Sequence, residues 1–206
     1  DKIVAENWID NINASIEYAL KGLSLAEKRK DISQQFYAIS NLVESYIAKS
    51  EYEEANKLMN SKGQQLYNEN KNHNAASFYL SDQAWMNSYK GDFKTAHEFE
   101  NKLYDFYIDK ENKQGQIFTL IRLASTSIYL DKLNNAKKYI SEAQLLASER
   151  GLQNEWFYYR IKMFNYQMAR IEGKAIDNTE VMKVVDTYLA YLTTQSKLYI
   201  NHDYSS

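Results

Sequence analysis

A short pattern recurs along this chain at intervals of about 40 residues, and it constrains the fold more than any other feature of the sequence. Ala55, Ala96 and Ala136 mark its copies, and they lie 41 and 40 residues apart. A short polar turn precedes each alanine, in the sequences Lys49-Ser50, Lys90-Gly91-Asp92 and Leu130-Asp131-Lys132. Self-similarity at a fixed period of this length indicates a stack of similar supersecondary units.

The composition favours helices for these units. Proline is absent and glycine occurs only six times, so the residues that usually interrupt regular structure are scarce. Apolar and small residues recur at helical spacing, for example at Leu120, Leu123, Ala124 and Ile128. We therefore predict an all-α fold, an α-α superhelix of about four to five helical hairpins. Each hairpin consists of a helix A, a tight turn and a helix B, and neighbouring hairpins share a continuous core.

The start of the chain fits the same repeat. Leu25-Ala26-Glu27 matches Leu146-Ala147-Ser148, which places an N-terminal copy before the first marked alanine. The chain begins with Asp1 and no signal sequence precedes it, so we expect a processed form or a fragment whose effector domain lies elsewhere. The compartment stays open, with a cytoplasmic location favoured over a periplasmic or extracellular one.

The domain organisation predicted from these patterns has three parts. Residues 1–173 form the repeat array, residues 174–200 form a C-terminal capping or connecting helix, and residues 201–206 form a disordered tail. The apolar face of the C-terminal helix favours a cap on the last hairpin, since terminal repeats require such a cover. Continuation into another domain, or a homodimer formed through this helix, explains the same face.

The residues within the hairpins resemble the tetratricopeptide repeat (TPR) family. Its pattern places a small residue in the middle of helix A, an aromatic residue three positions later and an alanine nine positions after that. Val43, Tyr46 and Ala55 match all three positions. The small positions also match in the next two copies, as Ala84 with Ala96 and Ala124 with Ala136.

The chain also departs from the common form of that family. Asn87 and Ser127 replace the aromatic residue, the proline near the end of helix B is missing, and the period is nearer 40 than the usual value of about 34. These features resemble the long-repeat variant of bacterial transcriptional regulators, signalling phosphatases and sensor proteins. The resemblance covers residues 1–173, and it implies a concave groove lined by the A helices that binds a peptide or protein.

An aromatic column recurs in phase on helix A, and the resemblance implies that it borders the groove. Its members are Tyr37, Phe78, Phe118 and Tyr158. Aromatic residues in register can form a floor on which a peptide stacks, because their side chains offer a large contact area. The alternative is that the column packs between successive hairpins, because aromatic residues at repeat spacing usually belong to the core.

Two further columns on helix A are mostly polar. The second column holds Asn41, Asp82, Arg122 and Lys162, and the third holds Glu44, Trp85, Ser125 and Asn165. Asparagine amides can pair with a peptide backbone, and arginine or lysine can hold a carboxylate. The alternative is a wet groove whose charges are solvated. Asp82 and Glu44 interrupt the carboxylate clamp of the TPR family, which argues against binding of an acidic C-terminal tail.

The sequence lacks the motifs of the common catalytic and cofactor sites. His73, His97 and His202 are scattered without metal-ligand spacing, and the absence of cysteine removes thiolate chemistry. We find no glycine-rich phosphate loop and no Gly-x-Ser-x-Gly elbow. A net charge of −2 gives no case for nucleic acid binding, and no apolar run is long enough for membrane insertion. We therefore expect no enzyme activity, no cofactor and no metal.

Three functions are compatible with these observations. The first is a protein- or peptide-binding region of a bacterial signalling or regulatory protein, with its ligand in the concave groove. The second is an extracytoplasmic sensor segment of a membrane-anchored kinase or cyclic-dinucleotide enzyme. The third is a passive assembly scaffold that keeps its shape when a partner binds.

Overall fold

The computed structural model describes residues 2–149 and 156–203, and every regular element in these ranges is helical. This confirms the predicted all-α class. The helices are α1 (Lys2–Arg29), α2 (Ile32–Ala48), α3 (Tyr52–Leu58), α4 (Gln64–Glu69), α5 (Ala76–Tyr89), α6 (Phe93–Asp109), α7 (Lys113–Tyr129), α8 (Leu133–Glu149), α9 (Trp156–Ile171) and α10 (Asn178–Asp203). A π-helical turn, Met59–Gly63, joins α3 to α4, so the two form one interrupted helix B.

The chain divides into two compact units. Unit 1 spans Asp1–Phe106 and unit 2 spans Tyr107–Ser206. In unit 1, α2 packs against α1, α3 and α5. In unit 2, α7 packs against α8 and α9, and α9 packs against α10.

Most helices end in the same turn, which accounts for the repeated spacing. A residue one or two positions after the end of the helix adopts positive φ. The amide of the residue that follows it donates to a carbonyl five residues back, as Asp92 N does to Asn87 O at 2.9 Å. This Schellman geometry satisfies carbonyl groups that the helix end leaves free. Within residues 2–149 and 156–203, the positive-φ residues are Lys30, Ser50, Gly91, Glu111, Asp131 and Gly173. Only two of the six are glycines, so the sequence signal for these turns is weak.

Short polar side chains begin several of the helices. Asp31 accepts a hydrogen bond from the Gln34 amide at 3.0 Å, and Asn112 accepts one from the Gly115 amide at 2.9 Å. Each such cap satisfies an amide of the first turn, and losing one costs about 1 kcal/mol. The caps and the Schellman turns together fix the lengths of the connections.

The core of unit 1 is built around α2. Phe36, Leu42, Val43 and Leu80 are fully buried, and each contributes about 1.5–3 kcal/mol of hydrophobic free energy. Tyr79 is also buried, with 4% of the residue exposed.

Tyr79 combines ring contacts with hydrogen bonds in the core. Its ring stacks on Tyr67 at 4.5 Å and meets Phe99 edge-on at 6.4 Å. Its hydroxyl donates to Gln64 Oε1 at 2.7 Å and accepts from Gln83 Nε2 at 3.1 Å. Because the polar group is satisfied, the ring can be buried without an unpaired hydroxyl. The same burial raises the pKa of Tyr79.

The core of unit 2 is built around α7, which buries residues on most of its circumference. Ile117, Leu120 and Leu123 have no exposed surface. At the start of this helix the Tyr107 ring packs directly on Gly115, where an added Cβ would lie 2.5 Å from the ring. A glycine is therefore required at this position by close packing.

Helix α10 completes a hairpin with α9. After the turn at Gly173, α10 packs against α9 as the second helix of a hairpin, with Val184 buried and Tyr159 near the rings of Tyr188 and Tyr191. The helix continues to Asp203, and the predicted boundaries of the capping helix (174–200) and of the disordered tail (201–206) stay a prediction. Residues 204–206 of that predicted tail lie outside the described residues.

Candidate functional site

The predicted aromatic column has two members in unit 1, and the structure brings them together. Tyr37 of α2 and Phe78 of α5 meet edge-on, with ring centroids 6.1 Å apart and an interplanar angle of 69°. Such a contact contributes about 0.5–1.5 kcal/mol beyond the buried area. Both rings nevertheless stay partly open, with exposed fractions of 51% and 38%. The two rings therefore pack on each other across the A helices and also leave apolar surface exposed.

A cleft of about 370 Å³ lies between α1 and α2, next to this aromatic pair. We call it the N-terminal cleft, and its lining residues are Ser15, Tyr18, Ala19, Gly22, Gln34, Tyr37, Ala38 and Asn41. Tyr37 belongs to both features, and Asn41 of the second column is half-buried in the cleft wall. None of the lining residues carries a formal charge at neutral pH.

The remaining unit 1 residues of the polar columns differ in their access to solvent. Glu44 is exposed, and partial desolvation of its carboxyl raises its pKa. Trp85 is half-buried, and its ring meets Tyr89 edge-on at 4.9 Å. Glu44 and Trp85 thus remain accessible to a ligand.

Asp82 does not fit its predicted place in an open groove. The side chain is buried, with 6% of the residue exposed, and it accepts a hydrogen bond from Ser40 Oγ at 3.1 Å. The physical reason is the close packing of α5 on α2, which turns this face of α5 toward the neighbouring helix. Asp82 therefore ties two A helices together, and its carboxylate is not presented to a ligand.

The unit 2 members of the aromatic column each lie beneath a cation. The Arg122 guanidinium is 5.4 Å from the Phe118 ring centroid, and Lys162 Nζ is 5.1 Å from that of Tyr158. In both pairs the ring belongs to the aromatic column and the cation to the second column. The two meet because residues four apart lie on one face of a helix. A cation–π contact of this kind contributes about 0.5–1 kcal/mol where it is exposed. All four residues are half-buried.

The third column in unit 2 holds Ser125 and Asn165. Ser125 lines a cleft of about 390 Å³ together with residues of α9 and α10, including Arg160 and Tyr188. Its hydroxyl donates to Ile121 O at 3.1 Å, so it is already satisfied by its own helix. Asn165 is exposed on α9. This surface is polar with a cationic character, whereas the aromatic pair of unit 1 is neutral.

One residue of the candidate surface was not singled out from the sequence. Tyr18 of α1 is 72% exposed and stands in the wall of the N-terminal cleft. The match of Leu25 to Leu146 aligns Tyr18 with Tyr139, seven residues earlier in each copy. This signal lies on a helix B, whereas the predicted columns all lie on A helices.

Within the described ranges, no group of three or more His, Cys, Asp or Glu side chains is placed to hold a metal ion. None of the helices described is both long and apolar enough to cross a membrane.

Comparison with known proteins identifies the fold. No family model and no curated protein matches the chain. A kinesin light chain-like protein of Podosopora anserina, with nearly identical TPR-like repeats, matches with a TM-score of 0.63 and 10% identity over 93% of each chain. A point variant of it matches with a TM-score of 0.64 and 10% identity, over 94% of this chain and 93% of that one. BtubC (BKLC) of P. vanneervenii matches with a TM-score of 0.64 and 15% identity, over 90% of this chain and 72% of its own. The chain therefore has the TPR-like helical-repeat fold, as the repeat pattern of its sequence predicts.

Proposed function

We propose that this chain is a protein-interaction region of a bacterial signalling or regulatory protein, and that it binds a peptide or protein segment on its A helices. The observation that carries the proposal is the exposed pair Tyr37 and Phe78, where two successive A helices present aromatic rings side by side. Exposed aromatic clusters of this kind are unusual on a surface that has no partner.

The fold supports this assignment, since stacked helical hairpins form extended surfaces that suit long ligands. The period of 40–41 residues supports the long-repeat form seen in bacterial regulators. Tyrosine adds to this argument because it is enriched where proteins recognise each other.

The proposed binding mode combines apolar anchoring with polar contacts beside it. Tyr37 and Phe78 stack on apolar or aromatic side chains of the ligand, and the Asn41 amide donates to and accepts from its backbone. Glu44 and Trp85 extend the contact along the A helices. Arg122 and Lys162 donate hydrogen bonds to acidic side chains of a ligand that binds to unit 2.

The test is a selection of random displayed peptides on the wild-type protein, followed by affinity measurements by fluorescence anisotropy. Truncating a central aromatic anchor costs about 2 kcal/mol or more, and each 1.4 kcal/mol is tenfold in affinity. We expect the double variant Tyr37→Ala/Phe78→Ala to bind the selected peptides at least about tenfold more weakly.

The matched control is Tyr52→Ala, which removes an exposed tyrosine from helix B of the same repeat. We expect it to bind with unchanged affinity, and circular dichroism should give the same helix content for both variants. Equal affinity of the double variant and the wild-type protein would refute the proposed site.

A further inference from the structure

The A helices α2 and α5 of unit 1 lie side by side, run in the same direction and keep one register. Two contacts establish this register: the rings of Tyr37 and Phe78 meet at 6.1 Å, and Ser40 Oγ donates to Asp82 Oδ1 at 3.1 Å. The partners are 41 and 42 residues apart in the chain, so the two helices advance together. The residues one turn further along each helix are therefore neighbours as well.

Glu44 and Trp85 occupy this next turn, and they are again 41 residues apart. Trp85 is half-buried and meets the ring of Tyr89 edge-on at 4.9 Å, and Tyr89 is 59% exposed. An exposed carboxylate thus lies beside two accessible aromatic rings on the surface of the A helices. We call Glu44, Trp85 and Tyr89 the acidic-aromatic cluster.

The described part of the chain supplies no cation to the acidic-aromatic cluster. The lysines nearest to it in sequence are bound elsewhere: Lys49 Nζ lies 2.6 Å from Glu51 Oε1, and Lys90 Nζ donates to Asn56 Oδ1. No side chain within the described ranges pairs with the Glu44 carboxyl, and desolvation raises the pKa of this group. A carboxylate that loses part of its water without gaining a cation is in an unfavourable environment.

Unit 2 shows a contrasting arrangement, in which the chain itself provides the cation. Arg122 lies over the Phe118 ring at 5.4 Å, and Lys162 lies over that of Tyr158 at 5.1 Å. The Trp85 ring has no such cation among the described residues. Aromatic rings attract cations through their faces, and a carboxylate beside them adds an ion pair. The acidic-aromatic cluster is therefore suited to a positively charged group of a ligand.

We propose that the acidic-aromatic cluster binds a basic side chain, arginine or lysine, of the partner segment that occupies the A helices. The inference rests on the proposed function, in that the ligand is a peptide or protein, and it specifies one residue of that ligand. Charge complementarity identifies the occupant, because a basic group neutralises the carboxylate while its aliphatic stem packs on the rings. Arginine fits best, since its planar guanidinium can hydrogen-bond a carboxylate and stack on an aromatic ring.

The register also predicts the position of the basic residue in the ligand. Glu44 follows Tyr37 by seven residues on α2, which corresponds to about 10 Å along the helix axis. An extended peptide advances about 3.3 Å per residue, so about three residues span this distance. A ligand that runs along the A helices therefore carries an apolar residue for Tyr37 and Phe78 and a basic residue about three positions away.

The test uses peptides selected from a random displayed library on the wild-type protein, with affinities measured by fluorescence anisotropy. We expect the selected sequences to be enriched in an arginine or lysine about three positions from an apolar anchor. Glu44→Gln should lower the affinity for these basic peptides by about two- to fivefold, through loss of an exposed ion pair. Tyr89→Ala should lower it by a similar factor of about two- to fivefold, through loss of a cation–π contact. The loss in Glu44→Gln should disappear for peptides in which glutamine replaces the basic residue.

The matched control is Glu53→Gln, which removes the same charge from an exposed position on helix B of the same repeat. It should bind the basic peptides like the wild-type protein, and circular dichroism should give the same helix content for all variants. Equal affinity of Glu44→Gln and Glu53→Gln for the basic peptides would overturn the cation site. Selection of peptides that lack a basic residue would overturn it too.

The outcomes separate this inference from the proposed function. If only the cation site fails, Tyr37→Ala/Phe78→Ala loses affinity and Glu44→Gln does not. If only the aromatic site fails, Glu44→Gln loses affinity and the double variant does not. Failure to select any peptide would refute both. Self-association of the wild-type protein that Glu44→Gln abolishes would also overturn the inference, because the basic group would then come from a second copy.

Discussion

The A helices of the two units carry the same aromatic column with different neighbours. In unit 1, Tyr37 and Phe78 contact each other, and the residues four positions later are Asn41 and the buried Asp82. In unit 2, Phe118 and Tyr158 each lie beneath a cation four positions later. The repeat thus determines the positions of the aromatic rings along the chain. The residues one helical turn later determine whether a ring lies beside a neutral, an acidic or a cationic side chain.

If the A helices bind a ligand as proposed, the two units suit different side chains. A neutral aromatic surface favours apolar side chains, and its contribution changes little with salt. A surface whose rings are paired with arginine and lysine favours carboxylates, and its contribution is screened as ionic strength rises. The following predictions test how far the two units differ.

The largest effect that we expect on stability contrasts two helical glycines. Gly115→Ala in unit 2 forces the Tyr107 ring to move, and overpacking of this kind costs about 1–3 kcal/mol. Gly22→Ala in unit 1 meets no neighbour and gains about 0.5–1 kcal/mol, since alanine favours the helix. Urea unfolding of the two variants measures both changes. Changes of the same sign in the free energy of unfolding would contradict the packing described for the two glycines.

A smaller effect is expected in the turns between helices A and B. Ser50 in unit 1 and Asp131 in unit 2 have φ of 63° and 57°, which is unfavourable for residues with a Cβ. Ser50→Gly and Asp131→Gly should therefore each raise the free energy of unfolding by about 0.5–1 kcal/mol. Gly91→Ala, at φ 78°, is the matched reverse change and should lower it by about 1 kcal/mol. Thermal unfolding provides the comparison, and a stabilised Gly91→Ala variant would refute the turn geometry.

The smallest effect concerns an acidic residue of unit 2. Hydrogen bonds to Lys137 and Lys174 lower the pKa of Glu172 from 4.5 to about 2. Because the pKa is depressed in the folded state, these contacts stabilise the protein fully above about pH 4.5, and the stabilisation is lost as the pH falls toward 2. The melting temperature of Glu172→Gln should lie below that of the wild-type protein at pH 6, and the gap should narrow in acid. Glu149→Gln, at an exposed site on α8, should show no such narrowing.

The sequence predicted the helical repeat because its signals are local. Ala55, Ala96 and Ala136 occupy fully buried positions in three B helices, as a small residue at a helix contact should. The positions of the aromatic column followed from the period alone. The extent of α10 was harder to predict, because the end of a terminal helix has no further repeat to mark it.

Other features depend on contacts that a repeat pattern does not contain. Asp82 was assigned to the groove by its register, but its partner Ser40 lies 42 residues earlier on another helix. The π turn Met59–Gly63 has one indirect signal in the sequence, since the first interval is 41 residues and the second is 40. A π turn accommodates an additional residue within a helix.

The most direct test of the account measures peptide affinity at low and high salt for two variants. We expect Tyr37→Ala/Phe78→Ala to lower the affinity for peptides selected on the wild-type protein by about tenfold or more. The factor should be about the same at low and at high salt. We expect Arg122→Gln/Lys162→Gln to lower the affinity for acidic peptides at low salt. The same variant should remove most of the salt dependence of that affinity. Unchanged affinity of both variants would contradict the claim that the A helices form the binding surface, and identical salt dependence would contradict the difference between the units.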